Sequence, residues 1–205
     1  MDKKQELLQI KLDMEADKYL PLISKPQDII PGDGNSDAEI VFIGEAGGYN
    51  ESVQRKPFVG QAGKLLDKLL ELSDIKREDV YITNMVKTRP PNNRDPLPDE
   101  LKSYENYLDR ELKVIKPKVI ITLGRFSMAK FLPNVFISGV HGKKYEVLFD
   151  NRKIIVVPMY HPAASLRNGS ILEQEKKDFI NLKTILTETL SQEGDKIDPV
   201  QLELI

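Results

Sequence analysis

Ile40-Val41-Phe42-Ile43, at residues 40–43, is a short apolar run that ends directly at Gly44 and Glu45. Its length and β-branched composition are typical of a strand that is covered on both faces of a sheet. Three more runs of this kind follow at intervals of roughly 35 to 40 residues, at 80–86, 119–123 and 154–157. Each interval has room for a helix, so the pattern predicts βαβ units that build a parallel sheet from these strands.

Amphipathic segments occupy the intervals and both ends of the chain. Apolar residues at helical spacing predict helices at 64–72, 99–115 and 126–132 between the strands, and terminal helices at 2–19 and 171–191. The alternating stretch 144–150 predicts a strand that pairs as a hairpin with 154–157 across Asp150-Asn151. We expect one domain over residues 1–205, with 196–205 as a flexible tail.

The 205 residues include 30 basic and 32 acidic side chains, two histidines and no cysteine. Without cysteine the chain cannot form a disulfide, a thiolate nucleophile or a cysteine-bound metal site, and two histidines alone cannot close a zinc site. No apolar run approaches the roughly 20 residues of a membrane helix, and the polar start lacks a signal-peptide core. These features predict a cytoplasmic protein with no membrane partner and with chemistry based on carboxylates, amides, hydroxyls and imidazoles.

Polar residues and glycines follow each predicted strand. They are Gly44 and Glu45, then Asn84, then Gly124-Arg125, and finally His161-Pro162. The carboxyl ends of parallel strands meet at one edge of the sheet, where ligands bind, so these groups are expected to converge there. Each of them taken singly could also do no more than end a strand. The sequence contains no phosphate-binding loop of the GxxxxGK[ST] type, no GxGxxG and no Gly-x-Ser-x-Gly elbow.

Five successive motifs extend from the first strand to beyond the last. They are GEAGG at 44–48, KPFVGQAG at 56–63, YITNMVKTRPPNNR at 81–94, LGR at 123–125 and YHPAASLR at 160–167. In order and spacing they resemble the motifs of the uracil-DNA glycosylase superfamily, and they are most similar to family 4, its iron–sulfur branch. The resemblance implies a three-layer α/β/α sandwich with a central four-stranded parallel sheet. It also implies a DNA repair enzyme that hydrolyses the N-glycosidic bond of uracil and leaves an abasic site, without a metal in the chemistry.

The resemblance assigns chemical roles to Glu45, Glu51 and His161. His161 would donate a hydrogen bond to uracil O2, where negative charge develops as the bond breaks. Glu45 and Glu51 would stabilise the cationic sugar or orient water, and the division between them is open. Glu51 is alternatively a wall that excludes the methyl group of thymine.

A base pocket is implied at Gly44, Ala46, Phe58, Asn84 and Asn93. Phe58 would stack under the base, and Asn84 would accept a hydrogen bond from uracil N3–H and donate one to O4. Asn93 is expected to hydrogen-bond Glu45 and fix its orientation. Ala46 stands where many relatives have an acidic or amide residue that activates water.

DNA binding is expected at the loops around this pocket. The residues assigned to it are Lys87, Arg89, Arg94, Arg125, Ser165, Leu166 and Arg167, and further cations in these loops are Lys56, Lys64, Lys143 and Lys144. Leu166 and Arg167 resemble the loop that wedges into the gap left by a flipped base. We expect a monomer that binds uracil-containing DNA, single- or double-stranded, although a solvated surface of mixed charge fits the same counts.

The main departure from family 4 lies at its four cluster cysteines. The flanking motifs place Asp17, Leu20, Thr88 and Tyr104 at these positions, and none of them is a cluster ligand. We therefore expect no cofactor and no metal, with the bulk of Leu20 and Tyr104 filling the vacated volume. Two local changes, Gly47 for a usual proline and Ser52 for a common acid, loosen the first loop.

Two other functions fit the same residues. One is a non-catalytic DNA- or nucleotide-binding protein that has kept the fold. The other is a glycosylase for a different deaminated base. Retention of Phe58, Asn84 and His161 together favours the active uracil-DNA glycosylase.

Overall fold

A six-stranded sheet forms the middle of the computed structural model, which describes residues 2–191. Its strands are β1 (Asp33–Gly34), β2 (Ile40–Gly44), β3 (Tyr81–Asn84), β4 (Val119–Leu123), β5 (Tyr145–Phe149) and β6 (Arg152–Met159). They lie in the order β1-β3-β2-β4-β6-β5. The neighbours β3, β2, β4 and β6 are parallel, which confirms the predicted central four-stranded parallel sheet.

Antiparallel strands extend the sheet at both edges. β5 pairs with β6 in the predicted hairpin, and the turn residues Asp150 and Asn151 have positive φ angles of 50° and 58°. Two central turn residues with positive φ match the twist of a tight hairpin, and Asp and Asn tolerate this conformation well. β1, of only two residues, pairs with β3 at the other edge and was not predicted.

Helices connect the strands. They are α1 (Lys3–Ala16), α2 (Tyr49–Gln54), α3 (Gln61–Leu72), α4 (Pro98–Ile115), α5 (Arg125–Phe131), α6 (Ile137–Val140), α7 (Pro162–Ser165) and α8 (Gly169–Ser191), with short 3₁₀ turns at Pro26–Asp28, Arg77–Asp79 and Pro91–Asn93. The five predicted helices correspond to α1, α3, α4, α5 and α8. The predicted tail at 196–205 lies outside the described residues.

The strands bury side chains on both faces, so the molecule has three layers. Phe42 of β2 packs on one face in a cluster with Leu66 of α3 and Phe179 of α8. Its neighbours Val41 and Ile43 point to the other face, where they belong to a second cluster that contains the buried side of α4. No helix within residues 2–191 is both long and apolar enough to cross a membrane.

Candidate active site

A cavity of about 470 Å³ opens at the carboxyl ends of the parallel strands. Glu45 after β2, Asn84 at the end of β3 and His161 after β6 all line it. Ala46, Glu51, Phe58, Asn93, Arg94 and Arg167 are also lining residues. The structure thus brings together side chains that are far apart in the sequence, at the edge of the sheet where the sequence pattern predicts a site.

Phe58 forms one wall of the cavity, and glycines allow its close approach. Its backbone has a φ angle of 51°, a left-handed conformation that is uncommon for an aromatic residue. A Cβ on Gly63 would lie 1.9 Å from the Phe58 carbonyl oxygen, and one on Gly44 would lie 2.6 Å from the Phe58 ring. The ring centroid is 5.6 Å from that of His161. Gly44 therefore leaves room for the Phe58 ring, although Gly44 itself is not a lining residue of the cavity.

Asn84 is a buried amide with an unused acceptor. Its side chain is 2% exposed, and its Oδ1 has no hydrogen-bond partner in the structure. Leaving a buried polar atom unpaired is unfavourable, so such an atom beside a cavity indicates a ligand that would donate to it.

His161 presents a neutral imidazole to the cavity. The backbone N–H of Ala163 donates to His161 Nδ1 at 3.1 Å, so Nδ1 is the acceptor and the ring proton resides on Nε2. Burial lowers the pKa of His161 to about 4, although the Glu51 carboxylate opposes this shift. At neutral pH the ring is therefore an uncharged donor through Nε2.

Glu51 is held by backbone groups from two loops. Its Oε1 accepts hydrogen bonds from the N–H groups of Val59, at 2.9 Å, and Gly60, at 2.7 Å, while Oε2 accepts one from Gly48 at 3.2 Å. These bonds join the loop after β2 to the loop that carries Phe58. A direct chemical role for Glu51 stays a prediction, and its contacts are those of an anchor.

Glu45 has the contrasting environment. Burial, reinforced by the negative charge of Asp95 and opposed by Arg125, raises the pKa of Glu45 to about 7. The predicted bond from Asn93 to Glu45 is wrong: Asn93 Oδ1 accepts instead from Arg89 Nε at 2.7 Å. Asn93 does line the cavity, but Glu45 is not oriented by it.

Two of the residues assigned to DNA binding are turned into the protein, and these predictions are wrong. Lys87 is fully buried and forms an ion pair with Glu111 of α4 and a hydrogen bond with Thr83, so its ammonium group cannot reach a phosphate. The Ser165 hydroxyl is buried and donates to Glu175 of α8.

Four other residues assigned to DNA binding lie at the surface near the cavity. Arg94 forms a two-pronged pair with Glu100, at 2.6 and 2.8 Å, and Arg125 pairs with Asp95. Leu166 is 51% exposed, and its neighbour Arg167 lines the cavity. Contacts from these side chains to DNA stay predictions.

Four lining residues with polar side chains were not among the predicted site residues: Tyr49, Asn50, Gln61 and Asp95. Tyr49 and Gln61 begin α2 and α3, whose positions beside known motif residues were the available signal. The sequence analysis also missed Glu111, which shares the helical face of Tyr104, Leu108 and Ile115. A carboxylate on a buried face needs a cation, and Lys87 is that cation.

The positions of the four family-4 cysteines do not fit an iron–sulfur cluster. Tyr104 is 0% exposed, and its hydroxyl donates to the Pro21 carbonyl at 2.7 Å. Leu20 packs in the same apolar cluster. The polar atoms are also engaged: Asp17 accepts from the Tyr107 hydroxyl at 2.8 Å, and Thr88 donates to the Leu22 carbonyl at 3.5 Å. Side-chain packing and hydrogen bonds thus occupy this region, and no thiolate is present to bind iron.

Fold and pocket together define an α/β protein with a recess at the edge of a parallel sheet, lined by an aromatic ring, a buried amide and a neutral imidazole. The chain belongs to the uracil DNA glycosylase superfamily, whose family model matches residues 31–183. It is 50% identical over 156 residues to a type-4 uracil-DNA glycosylase of Archaeoglobus fulgidus. This match covers 73% of this chain and 78% of that protein.

Two further relatives show comparable similarity. A type-4 uracil-DNA glycosylase of Saccharolobus solfataricus is 48% identical over 167 residues, covering 78% of this chain and 77% of that protein. One from Thermotoga maritima is 42% identical over 152 residues, covering 73% and 78%. The family-model match at residues 31–183 includes the cavity residues described above.

Proposed function

We propose that this protein is a uracil-DNA glycosylase that flips uracil out of DNA and hydrolyses its N-glycosidic bond, leaving an abasic site. The observation that carries the proposal is the unpaired, buried Oδ1 of Asn84, a residue that lines one cavity together with Phe58 and the neutral His161. The type-4 relatives and the superfamily match support it.

Recognition follows from the edge of the base. A base inside a duplex cannot be reached by side chains that line a recess, so it must leave the stack. Uracil would pack on Phe58, donate its N3–H to Asn84 Oδ1 and accept from Asn84 Nδ2 at O4. Cytosine lacks the N3–H and carries an amino group in place of O4, so it would leave both Asn84 groups without partners.

Cleavage of the N-glycosidic bond places negative charge on uracil and positive charge on the sugar, and the pocket has a group of suitable chemistry for each. When the C1′–N1 bond breaks, its electron pair leaves with uracil, and the sugar becomes cationic. His161 Nε2–H would donate to uracil O2 as the negative charge forms there. The Glu45 carboxylate, once ionised, would stabilise the sugar and accept the proton that water loses as its oxygen bonds to C1′. Ala46 has no group that could share this task.

Glu51 serves this mechanism as an anchor. Its backbone hydrogen bonds hold the Phe58 loop against the loop after β2, which keeps the stacking ring in place. Its negative charge also faces His161 from inside the pocket wall.

A test uses oligonucleotides with a single uracil, placed opposite guanine, opposite adenine or unpaired, followed by alkaline cleavage at abasic sites. We expect strand breaks at the uracil position and none at cytosine or thymine. Folded protein that yields no product from any of the uracil substrates would exclude the enzyme and favour the non-catalytic binding protein. In a parallel set that carries one deaminated purine in place of uracil, breaks confined to that set would favour the other glycosylase.

We further propose that the enzyme works as a cytoplasmic monomer without an iron–sulfur cluster. The support for the latter is the packing of Tyr104 and Leu20 and the absence of cysteine from the whole sequence. Iron analysis and a visible absorption spectrum of the active protein test it. Less than stoichiometric iron and no charge-transfer bands are expected, and a stoichiometric cluster would overturn the proposal.

A further inference from the structure

An aromatic side chain with no part in the proposed chemistry stands at the mouth of the cavity. Tyr49, the first residue of α2, lines the cavity, yet its side chain is 63% exposed. The other residues of α2 are polar apart from Val53, which is itself 65% exposed, so the ring is not held in an apolar core.

Arg89 holds this ring in place. The guanidinium carbon lies 5.3 Å from the centroid of the Tyr49 ring, within the range of a cation–π contact. Arg89 Nε donates to Asn93 Oδ1, so the guanidinium is fixed to a second lining residue. Its two terminal nitrogens make no hydrogen bond within residues 2–191, which leaves them available to a phosphate. Ring and cation thus form one unit on the rim.

We propose that the Tyr49 ring, held by Arg89, stacks on the base next to the flipped uracil and so forms a subsite for a flanking nucleotide. This proposal rests on the function proposed above. Phe58 already provides the stacking surface inside the pocket. A ring on the rim, such as that of Tyr49, lies where the DNA strand would enter or leave the pocket. Every base has a π-face, and exposed aromatic rings beside cationic groups are the usual platforms for single-stranded nucleic acid.

The contribution of Tyr49 is expected to be greater for single-stranded than for duplex DNA. In a duplex the neighbouring base is already stacked and paired, so it gains little from a second partner. In a single strand it is free to leave its neighbours and lie on the ring. Tyr49 would thus lower the KM for single-stranded substrates with little effect on kcat.

A double-mutant cycle between protein and DNA tests the subsite. The ligand is a single-stranded oligonucleotide with 2′-fluoro-2′-deoxyuridine, whose fluorine disfavours the cationic sugar and so slows cleavage. The base on its 5′ or its 3′ side is present or omitted. Tyr49→Ala should weaken binding at least about fivefold, and Tyr49→Phe should bind like the wild type. Omission of one flanking base should weaken binding to the wild type by a similar factor. It should leave the affinity of Tyr49→Ala almost unchanged.

Tyr19→Ala is the matched control, because Tyr19 is 96% exposed and does not line the cavity. It should bind as the wild type does. The subsite would be overturned if the loss of affinity in Tyr49→Ala and the loss on omitting a base were additive for both the 5′ and the 3′ base. It would also be overturned if Tyr49→Phe lost as much affinity as Tyr49→Ala. If the wild type still cleaves ordinary uracil DNA, either result leaves the glycosylase proposal intact. A wild-type protein that neither cleaves nor binds uracil DNA would overturn both.

Discussion

His161 experiences two opposing influences, and burial is the stronger. The Glu51 carboxylate favours the imidazolium ion, but removal from water disfavours any charge and lowers the pKa to about 4. A neutral ring with its proton on Nε2 can donate a hydrogen bond to an oxyanion without first losing or gaining a proton. Gly124 allows this placement, since a Cβ there would lie 3.1 Å from the His161 Cβ.

Replacing this donor should slow the reaction far more than it weakens binding. His161→Ala is expected to reduce kcat roughly 100- to 1,000-fold, the usual effect of removing a donor aimed at developing charge. DNA affinity should stay nearly unchanged, because the interaction strengthens only as the bond breaks. His161→Gln, which retains an N–H donor, should lose less. Single-turnover rates and binding curves separate the two effects, and equal losses in both would contradict the assigned role.

Glu45 should set the acid limb of the pH profile. Its pKa is raised to about 7 by burial, so the carboxyl is protonated below that pH and ionised above it. An ionised Glu45 is needed to stabilise the cationic sugar, so kcat/KM should rise with pH and level off above about 7. Below a pH of about 7, kcat/KM should fall about tenfold for each unit by which the pH is lowered.

Two variants assign this limb to a residue. Glu45→Gln should lower kcat/KM and abolish the limb. Glu175→Gln is the matched control, because burial also raises the pKa of Glu175 to about 7 while its side chain lies against Ser165, outside the cavity. A limb that persists in Glu45→Gln, or disappears in Glu175→Gln, would show that another group controls the reaction.

At the scale of elements, side chains of α4 pack directly against the segment that follows α1. Tyr104 of α4 contacts Leu20 and Met14 in one buried group, and its hydroxyl reaches across to the Pro21 carbonyl. A fully buried aromatic ring contributes both area removed from water and close packing. The link between the two segments is therefore made by side chains of the chain itself.

The stability of this link can be measured by urea unfolding. Tyr104→Phe removes one buried hydrogen bond and should lower the free energy of unfolding by about 0.5 to 1.5 kcal/mol. Tyr104→Ala also leaves a cavity and should lower it by about 3 to 5 kcal/mol at an unchanged m-value. Tyr19→Ala, at an exposed position, should change it by less than about 0.5 kcal/mol. A Tyr104→Ala protein as stable as the wild type would refute this role.

The sequence predicted elements best where their signals were long and local. β2 and β4 are apolar runs of β-branched residues, and α4 keeps its apolar face over several turns, so each was located to within a residue or so. β1 and α6 span two and four residues, which is too short for any periodic signal. Their existence depends on tertiary contacts that the local sequence does not encode.

The direction of individual side chains was the weaker part of the prediction. The residues that line one cavity as expected stand at the carboxyl end of a strand or in a glycine-bounded loop: Glu45, Phe58, Asn84 and His161. Lys87 was assigned to the surface with the other cations, but the buried carboxylate of Glu111 draws it inward. Whether a cation faces water or a buried partner depends on a residue far away in the chain.

For the whole molecule, the distribution of charge decides how it meets DNA. The formal net charge is -2, so attraction to phosphates must come from cations near the cavity. Several of these already have carboxylate partners, among them Arg94, Arg125 and Lys56. Lys143 has no carboxylate partner within residues 2–191, but its ammonium group donates to the Gly139 carbonyl. Lys64, Arg89 and Arg167 have no carboxylate partner there either, and Arg167 lines the cavity itself. These three are the cations most readily available to a DNA backbone.

This count predicts a modest salt dependence of binding. Each neutralised phosphate of a duplex contributes about -0.9 to the slope of log K against log salt, so three free cations predict a slope of about -3. Arg167→Gln should reduce its magnitude by about one, whereas Arg94→Gln should leave it unchanged, because Arg94 is already neutralised by Glu100. Fluorescence anisotropy with a uracil-free duplex over a range of salt concentrations measures the slopes. A slope near zero would mean that none of these cations neutralises a phosphate. A slope that changes with Arg94 and not with Arg167 would mean that DNA meets a different face, since phosphate contacts depend on which cations lack a partner in the folded protein.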